Sequence, residues 1–196
     1  MVKPYALVAL LLLLIFLPGC LTLKQAYIPD QLLTEGWHEN KGETEEGSNY
    51  FGLEKWYSIT YENGESASLT VTTIKTLIMM DKTDLLKKAD EEMFGAASLY
   101  SITIDRSSKR EGDRILGNGH ESSYIIYNGT KEGKTYRMIG EVWSCTQSGV
   151  SIICMGLTDL SSVNGMINWE KIVGDPKGNI DEIDRSDGLI YNVKCH

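Results

Sequence analysis

The chain has 196 residues, 42% of them hydrophobic, and its 27 acidic against 19 basic residues leave a formal net charge of −8. A surface of that sign repels phosphate backbones and anionic headgroups, so nucleic acid is excluded as the expected partner and membrane association is left to an anchor. The length suits one ordinary domain with a real core.

The first twenty residues, MVKPYALVALLLLLIFLPGC, set one basic residue, Lys3, before an apolar run from Tyr5 to Leu17. A charged start followed by an apolar stretch of roughly 7–15 residues is the pattern of a secretory signal. It is shorter than the about 20 residues a spanning helix needs. Leu17-Pro18-Gly19-Cys20 resembles the lipobox of prokaryotic lipoproteins, in which the cysteine is lipidated and becomes the new N-terminus. Pro18 stands where that family has a small or β-branched residue. Two alternatives stay open: cleavage elsewhere and free secretion, or an uncleaved anchor from Tyr5 to Leu23 with Lys24 as its stop. All three place residues 25–196 outside the cytoplasm. The expected organisation is a signal peptide over 1–19, Cys20 and a tether over 20–30, a folded domain over 31–174 and an acidic tail over 175–196.

Gln31 to His38 reads as a first strand and Asn40 to Ser48 as a polar, acidic loop. Tyr50 to Ile78 is rich in Tyr, Ile, Val, Thr and Trp around Asn63-Gly64, a strong short hairpin signal. Either face of its second strand can be the buried one, since Lys75 interrupts one alternation and threonines fill the other. From Asp81 to Phe94 the period becomes helical, with Leu85, Leu86, Ala89, Met93 and Phe94 on one stripe, Asp81 or Thr83 as cap and Gly95 as stop. Tyr100, Ile102 and Ile104 alternate with polar residues as a strand. A break at 117–119, a strand over 121–127, a turn over 128–134 and a strand over 135–146 follow. A last helix runs from about Leu160 or Ser161 to Val173 with Val163, Met166, Ile167 and Trp169 as its stripe, and Gly174-Asp175-Pro176 stop it.

Cys145 and Cys154 lie in two β runs around Gly149-Val150. With those two residues as the loop, Cys145 falls opposite Cys154 in a non-hydrogen-bonded pair, whose Cα atoms lie about 4.5 Å apart. That is within disulfide range. An oxidising compartment then predicts a Cys145–Cys154 bond, with Cys195 as the rival partner. The same register puts Met138, Val142, Ile153, Met155 and Leu157 on a core face. Arg137, Glu141, Trp143 and the disulfide fall on an outer face, which makes Trp143 the candidate for partner contact.

Other candidate sites carry less. His120, in Gly119-His120-Glu121, has the chemistry of a metal ligand or general base, but a lone loop histidine is ordinarily solvated. Cys195-His196 lacks the four-ligand spacing of structural zinc. Asp181, Asp184 and Asp187 offer calcium oxygens without the spacing of an EF-hand loop. No metal and no cofactor is therefore expected, calcium on the tail being the weak exception. Asn128-Gly129-Thr130 is a glycosylation sequon in an expected exposed turn. His38 has no partner pattern, and Ser148 is a turn serine. Nucleophile-elbow, zinc-protease, phosphate-loop and dinucleotide motifs are absent, so no enzyme is expected.

The element order, three strands, a helix, four strands and a Trp-bearing helix, predicts an α+β fold with a largely antiparallel sheet of six or seven strands and two packing helices. Over residues 31–174 this order resembles the PsbP-like fold, which includes the extrinsic photosystem subunit. The resemblance implies a sandwich that binds or scaffolds rather than catalyses. The expected function is a membrane-anchored extracytoplasmic lipoprotein domain that binds a protein partner or membrane complex, with solute or cation binding as the alternative.

Overall fold

The computed structural model describes residues 23–174 and 188–196. The expected signal peptide and Cys20, and Asp181, Asp184 and Asp187, lie outside the described residues. Among the described residues no helix is long and apolar enough to cross a membrane.

Eight strands form one sheet: β1 (His38–Glu39), β2 (Glu45–Asn49), β3 (Glu54–Asn63), β4 (Ala67–Thr76), β5 (Thr103–Ile115), β6 (Glu121–Lys131), β7 (Lys134–Cys145) and β8 (Val150–Asp159). Their order is β1-β3-β4-β8-β7-β6-β5, with β2 also pairing β3, and every pair is antiparallel. Helices α1 (Lys82–Leu99) and α2 (Val163–Val173) complete the α+β fold. The strand count exceeds expectation because the acidic 40–48 loop is an edge strand: Glu45 to Asn49 pair with Glu54 to Ser58. Gly47 allows this, since a Cβ there would lie 2.6 Å from the Trp56 indole. The expected first strand over 31–38 shrinks to a 3-10 turn at Asp30–Leu32 and two strand residues.

The hairpin at Asn63-Gly64 forms as expected, with Asn63 opposite Ala67. Asp81 caps α1 by accepting from the Asp84 amide at 2.9 Å. The helix passes Gly95 and ends at Leu99, because Ala97 continues the stripe of Leu85, Ala89 and Met93 into the core. This stripe lies on a sheet face formed by Ile74, Ile125, Met138, Val142 and Ile153, with Met155 and Leu157 partly covered. The turn expected over 128–134 is only Glu132-Gly133, as β6 and β7 pair out to Lys131 and Lys134.

The opposite face is covered as well, which corrects its reading as an outer face. Trp169, Ile172 and Val173 of α2, Ala26, Ile28 and Trp37 near the N-terminus, and Leu189, Ile190 and Val193 near the C-terminus bury Leu69, Val71, Ile139, Trp143, Ile152 and Cys154. The last helix also turns differently from its apolar pattern: Val163, Met166 and Ile167 are exposed. Gly165 sets that orientation, since a Cβ would fall 1.6 Å from the Asp159 carbonyl oxygen. This contact rolls Trp169 and Asn168 inward. Ser162 caps the helix, and Gly174 ends it in the left-handed conformation.

The buried second face holds a charge. The Arg114 guanidinium grips Glu141 at 2.6 Å and 2.5 Å and donates to the Val173 carbonyl at 2.7 Å. Ser122 donates to the same Glu141 carboxylate at 2.5 Å. Bidentate geometry and a satisfied third partner are what allow a buried ion pair to persist.

Candidate metal centre

The β7–β8 connection decides where the cysteines go. Cys145 pairs with Val150 and Cys154 with Glu141, across a four-residue loop, Thr146 to Gly149. The Gly149 amide donates to the Cys145 carbonyl at 2.8 Å, and Lys75 Nζ donates to the Ser148 carbonyl at 3.3 Å. The expected two-residue loop is therefore wrong by four positions in pairing. Four strand residues separate Cys154 from the position opposite Cys145, about 13 Å along the sheet. Both side chains keep the same face because the shift is even. Cys145, Cys154 and Cys195 are all free thiols, so the Cys145–Cys154 bond is corrected.

What lies beside Cys145 is the far end of the chain. Tyr27 and Lys194 exchange backbone hydrogen bonds at 2.9 and 2.8 Å, and Ala26 N donates to Thr73 Oγ1 at 2.8 Å. The β5–β6 connection holds the same C-terminal segment: Gly117 N donates to the Tyr191 carbonyl at 3.0 Å, and Asn118 Nδ2 to the Val193 carbonyl at 3.0 Å. Asn118 Oδ1 also accepts from the His120 amide at 3.0 Å and so fixes that loop. Three segments remote in sequence thereby bring His120, Cys145, Cys195 and His196 together.

One donor atom from each of these residues lies within 4.8 Å of the other three. Cys145 Sγ is 3.4 Å from His196 Nδ1, and Cys195 Sγ is 3.3 Å from His120 Nε2 and 3.5 Å from His196 Nδ1. Around a tetrahedral zinc with bonds of about 2.3 Å to sulfur and about 2.0–2.1 Å to nitrogen, each sulfur–nitrogen edge is about 3.5 Å. The three separations fit that edge. The two imidazole rings stand perpendicular, 5.7 Å between centroids.

The electrostatics suit ligation. Burial raises the Cys145 thiol, but interactions of Cys195, Ser148 and His196 with its sulfur outweigh burial and bring it down to about 7. Burial and the Cys145 sulfur push Cys195 up to about 12, against the indole of buried Trp143, which favours the Cys195 thiolate. The pair thus readily gives up one proton and holds the second, which a cation would displace. Burial and His196 lower His120, which favours the neutral imidazole, the form that ligates. Burial drives the Cys154 thiol well above its usual range, and it stands outside the cluster as an inert core residue.

Other sequence candidates go elsewhere. Trp143 is only 2% exposed, so it offers no surface for a partner: the N- and C-terminal segments that cover its face are distant in sequence. Asn128 lies within β6 rather than in a turn, and its side-chain oxygen accepts from Arg137 Nε at 3.0 Å. His38 is exposed and lies 3.4 Å from Glu62. His120 and the Cys195-His196 pair were each legible as isolated metal-ligand types, and no local spacing joins them to Cys145. The available signal was arithmetic: with Cys20 given to the anchor, three cysteines cannot all pair.

No protein-family model matches the chain, and no curated protein is significantly similar to it.

Proposed function

We propose that this protein is an extracytoplasmic prokaryotic lipoprotein, anchored through Cys20, whose domain binds a zinc-like cation at His120, Cys145, Cys195 and His196 and serves a partner or membrane complex without catalysis. The convergence of two sulfur and two imidazole donors carries the reading. Thiolate–imidazole sets select zinc over calcium, which takes oxygen ligands. A full set of four protein donors leaves no position for substrate, which supports a structural metal. The antiparallel sheet with two helices in the expected order supports a PsbP-like architecture, with β2 as an added edge strand. In this reading the cation clips the C-terminal segment to the β5–β6 and β7–β8 connections, and through the Tyr27–Lys194 bridge it also steadies the tether.

The test is metal analysis of the full chain, purified under reducing conditions and equilibrated with zinc. One zinc per chain is expected, with thiolate-to-metal absorption when cobalt replaces it. Cys145→Ser and Cys195→Ser should abolish both signals and Cys154→Ser should keep them. A parent with free thiols and no bound metal overturns the site, and a quantitative Cys145–Cys195 disulfide in protein isolated from membranes replaces the cation with a covalent clip. Mass spectrometry of the mature N-terminus tests lipidation of Cys20.

A cavity of about 370 Å³ between α1 and β3–β4 favours solute binding as a second reading. Met93, Tyr100, Tyr136 and Met155 give it an apolar side, and Thr60, Thr70 and the charged Glu62 and Lys131 give it a polar one, the mixture an amphipathic solute needs. A hexanol-dependent rise in melting temperature that Ala97→Phe removes would support it. No rise in the parent would dispose of it.

A further inference from the structure

Two connections leave the same end of the sheet, and both are apolar. The last rung of the β3–β4 pair is Glu54 opposite Thr76, and β2 ends opposite Glu54 as well. Immediately beyond that rung lie Tyr50, Phe51 and Leu53 on one connection, and Leu77, Ile78 and Met79 on the other. All six side chains are exposed: Phe51 is 108% accessible, Ile78 85%, Tyr50 73% and Leu77 66%. Isolated exposed apolar residues are ordinary, but a contiguous patch of this size marks a surface that something covers.

The loops that display these residues are braced. Thr76 Oγ1 donates to the Ile78 carbonyl at 2.6 Å, Leu53 N to the Tyr50 carbonyl at 3.2 Å, and Asn49 Nδ2 to Glu54 Oε1 at 3.0 Å. Tyr50 and Phe51 both hold left-handed backbone, with φ of 52° and 58°. Such conformations are costly for bulky residues, and here they hold the rings outward.

The direction of the N-terminal segment identifies what covers the patch. Ile28 N donates to the hydroxyl at the tip of the Tyr61 side chain and Ala26 N to Thr73 Oγ1, so reading back towards the N-terminus the chain comes at Ala26 to Thr73, three rungs short of Thr76. That path leads to the end of the sheet that bears the six apolar residues. Leu23 is the first described residue, and Cys20 stands three positions before it. Three residues reach at most about 10 Å. A lipid on Cys20 would therefore hold this end of the sheet against the bilayer. The apolar run Tyr5 to Leu17 would do the same if retained.

We propose that Tyr50, Phe51, Leu53, Leu77, Ile78 and Met79 form a bilayer-contacting tip that inserts among acyl chains beside the N-terminal anchor. This rests on the membrane-anchored reading above. The Tyr50 ring sits at headgroup depth, where tyrosine concentrates, while Phe51 and Ile78 reach the acyl chains. A lipid at one point leaves the domain free to tilt, and an apolar contact beside it fixes the orientation. None of the six side chains is acidic or basic, so their contact with acyl chains is insensitive to salt. The tip fixes the domain upright, with the end of α1 at Leu99 facing away from the membrane.

The test uses the full chain, processed in a lipoprotein-competent host and reconstituted into phosphatidylcholine vesicles with brominated acyl chains. Phe51→Trp, Ile78→Trp and Leu99→Trp each add an indole at an exposed site, read as the increment over the parent. The indoles at 51 and 78 should be strongly quenched by the bromolipid at low and high salt, and the indole at 99 should not. If the protein floats with the vesicles but all three indoles behave alike, the tip proposal falls while the anchor stands. If it stays in solution, both fall. Loss of quenching together with a cross-linked dimer through position 51 would assign the patch to a second copy instead, and overturn the proposal.

Discussion

The two faces of the sheet are both buried, yet they are built from different kinds of information. Beneath α1, the core is a local helical stripe laid on alternating strand residues, with no buried charge on its apolar centre. Across the sheet, the cover comes from Ala26 and Ile28, from α2, and from Leu189 to Cys195, over a buried Arg114–Glu141 pair and a thiol–imidazole cluster. The first face is held by packing that any apolar residue of similar volume could supply. The second is held by partners of fixed chemistry that must all be present together. Its failures should therefore be sharper and more specific.

The largest expected effect tests that claim directly. Glu141→Ala leaves the Arg114 guanidinium buried without its carboxylate and should cost about 3–5 kcal/mol, the typical penalty for breaking a buried pair. Urea unfolding measures it, and a loss below about 1 kcal/mol would put the second face on the same footing as the first. On the α1 face, Leu85→Ala should cost about 2–5 kcal/mol as a cavity mutant while leaving zinc stoichiometry unchanged. If it also weakens metal binding, the two faces are not independent.

Chelation comes next. Zinc at a hundredfold excess over its dissociation constant stabilises by about 2.7 kcal/mol, so a chelator should lower the melting temperature of the parent and leave Cys145→Ser unmoved. The metal-free protein carries its own signature. Cys145 titrates lower folded than unfolded, so the unfolded chain holds more protons between about pH 7 and the ordinary thiol range near 9, and stability rises across that window. Cys195 is raised to about 12, so above pH 9 the folded state holds the extra proton and stability falls again. Stability against pH in Cys145→Ser should lose the rising limb. The smallest effect is local to the other face: Asp81→Ala removes the α1 cap and should cost about 1 kcal/mol, without touching the pH profile.

How far each face was legible in the sequence follows from the same distinction. The α1 stripe was readable because residues three and four apart meet on one helix, and Leu85, Ala89 and Met93 did so. Met138, Val142, Ile153, Met155 and Leu157 were correctly grouped even though the hairpin register was wrong. An error of four positions in pairing keeps every side chain on its own face. The α2 stripe was misread because amphipathic spacing does not record that Gly165 must lie against the Asp159 carbonyl. The disulfide was misread because loop length cannot be read from Gly149-Val150 alone, and the extra residues carry Cys154 away from Cys145.

By itself the sequence determined the apolar run from Tyr5 to Leu17 before Cys20, the acidic balance, the alternation of strands and helices, the stop at Gly174, and a first-helix cap narrowed to Asp81 or Thr83. These are properties of neighbours along the chain, set by period and backbone preference. Only the tertiary structure decided that Cys145 faces Cys195 and two histidines, that Trp143 is buried, and that six apolar side chains share one exposed end of the sheet. Those depend on which distant segments lie side by side, and the loops and close contacts that fix this leave no periodic trace in the sequence.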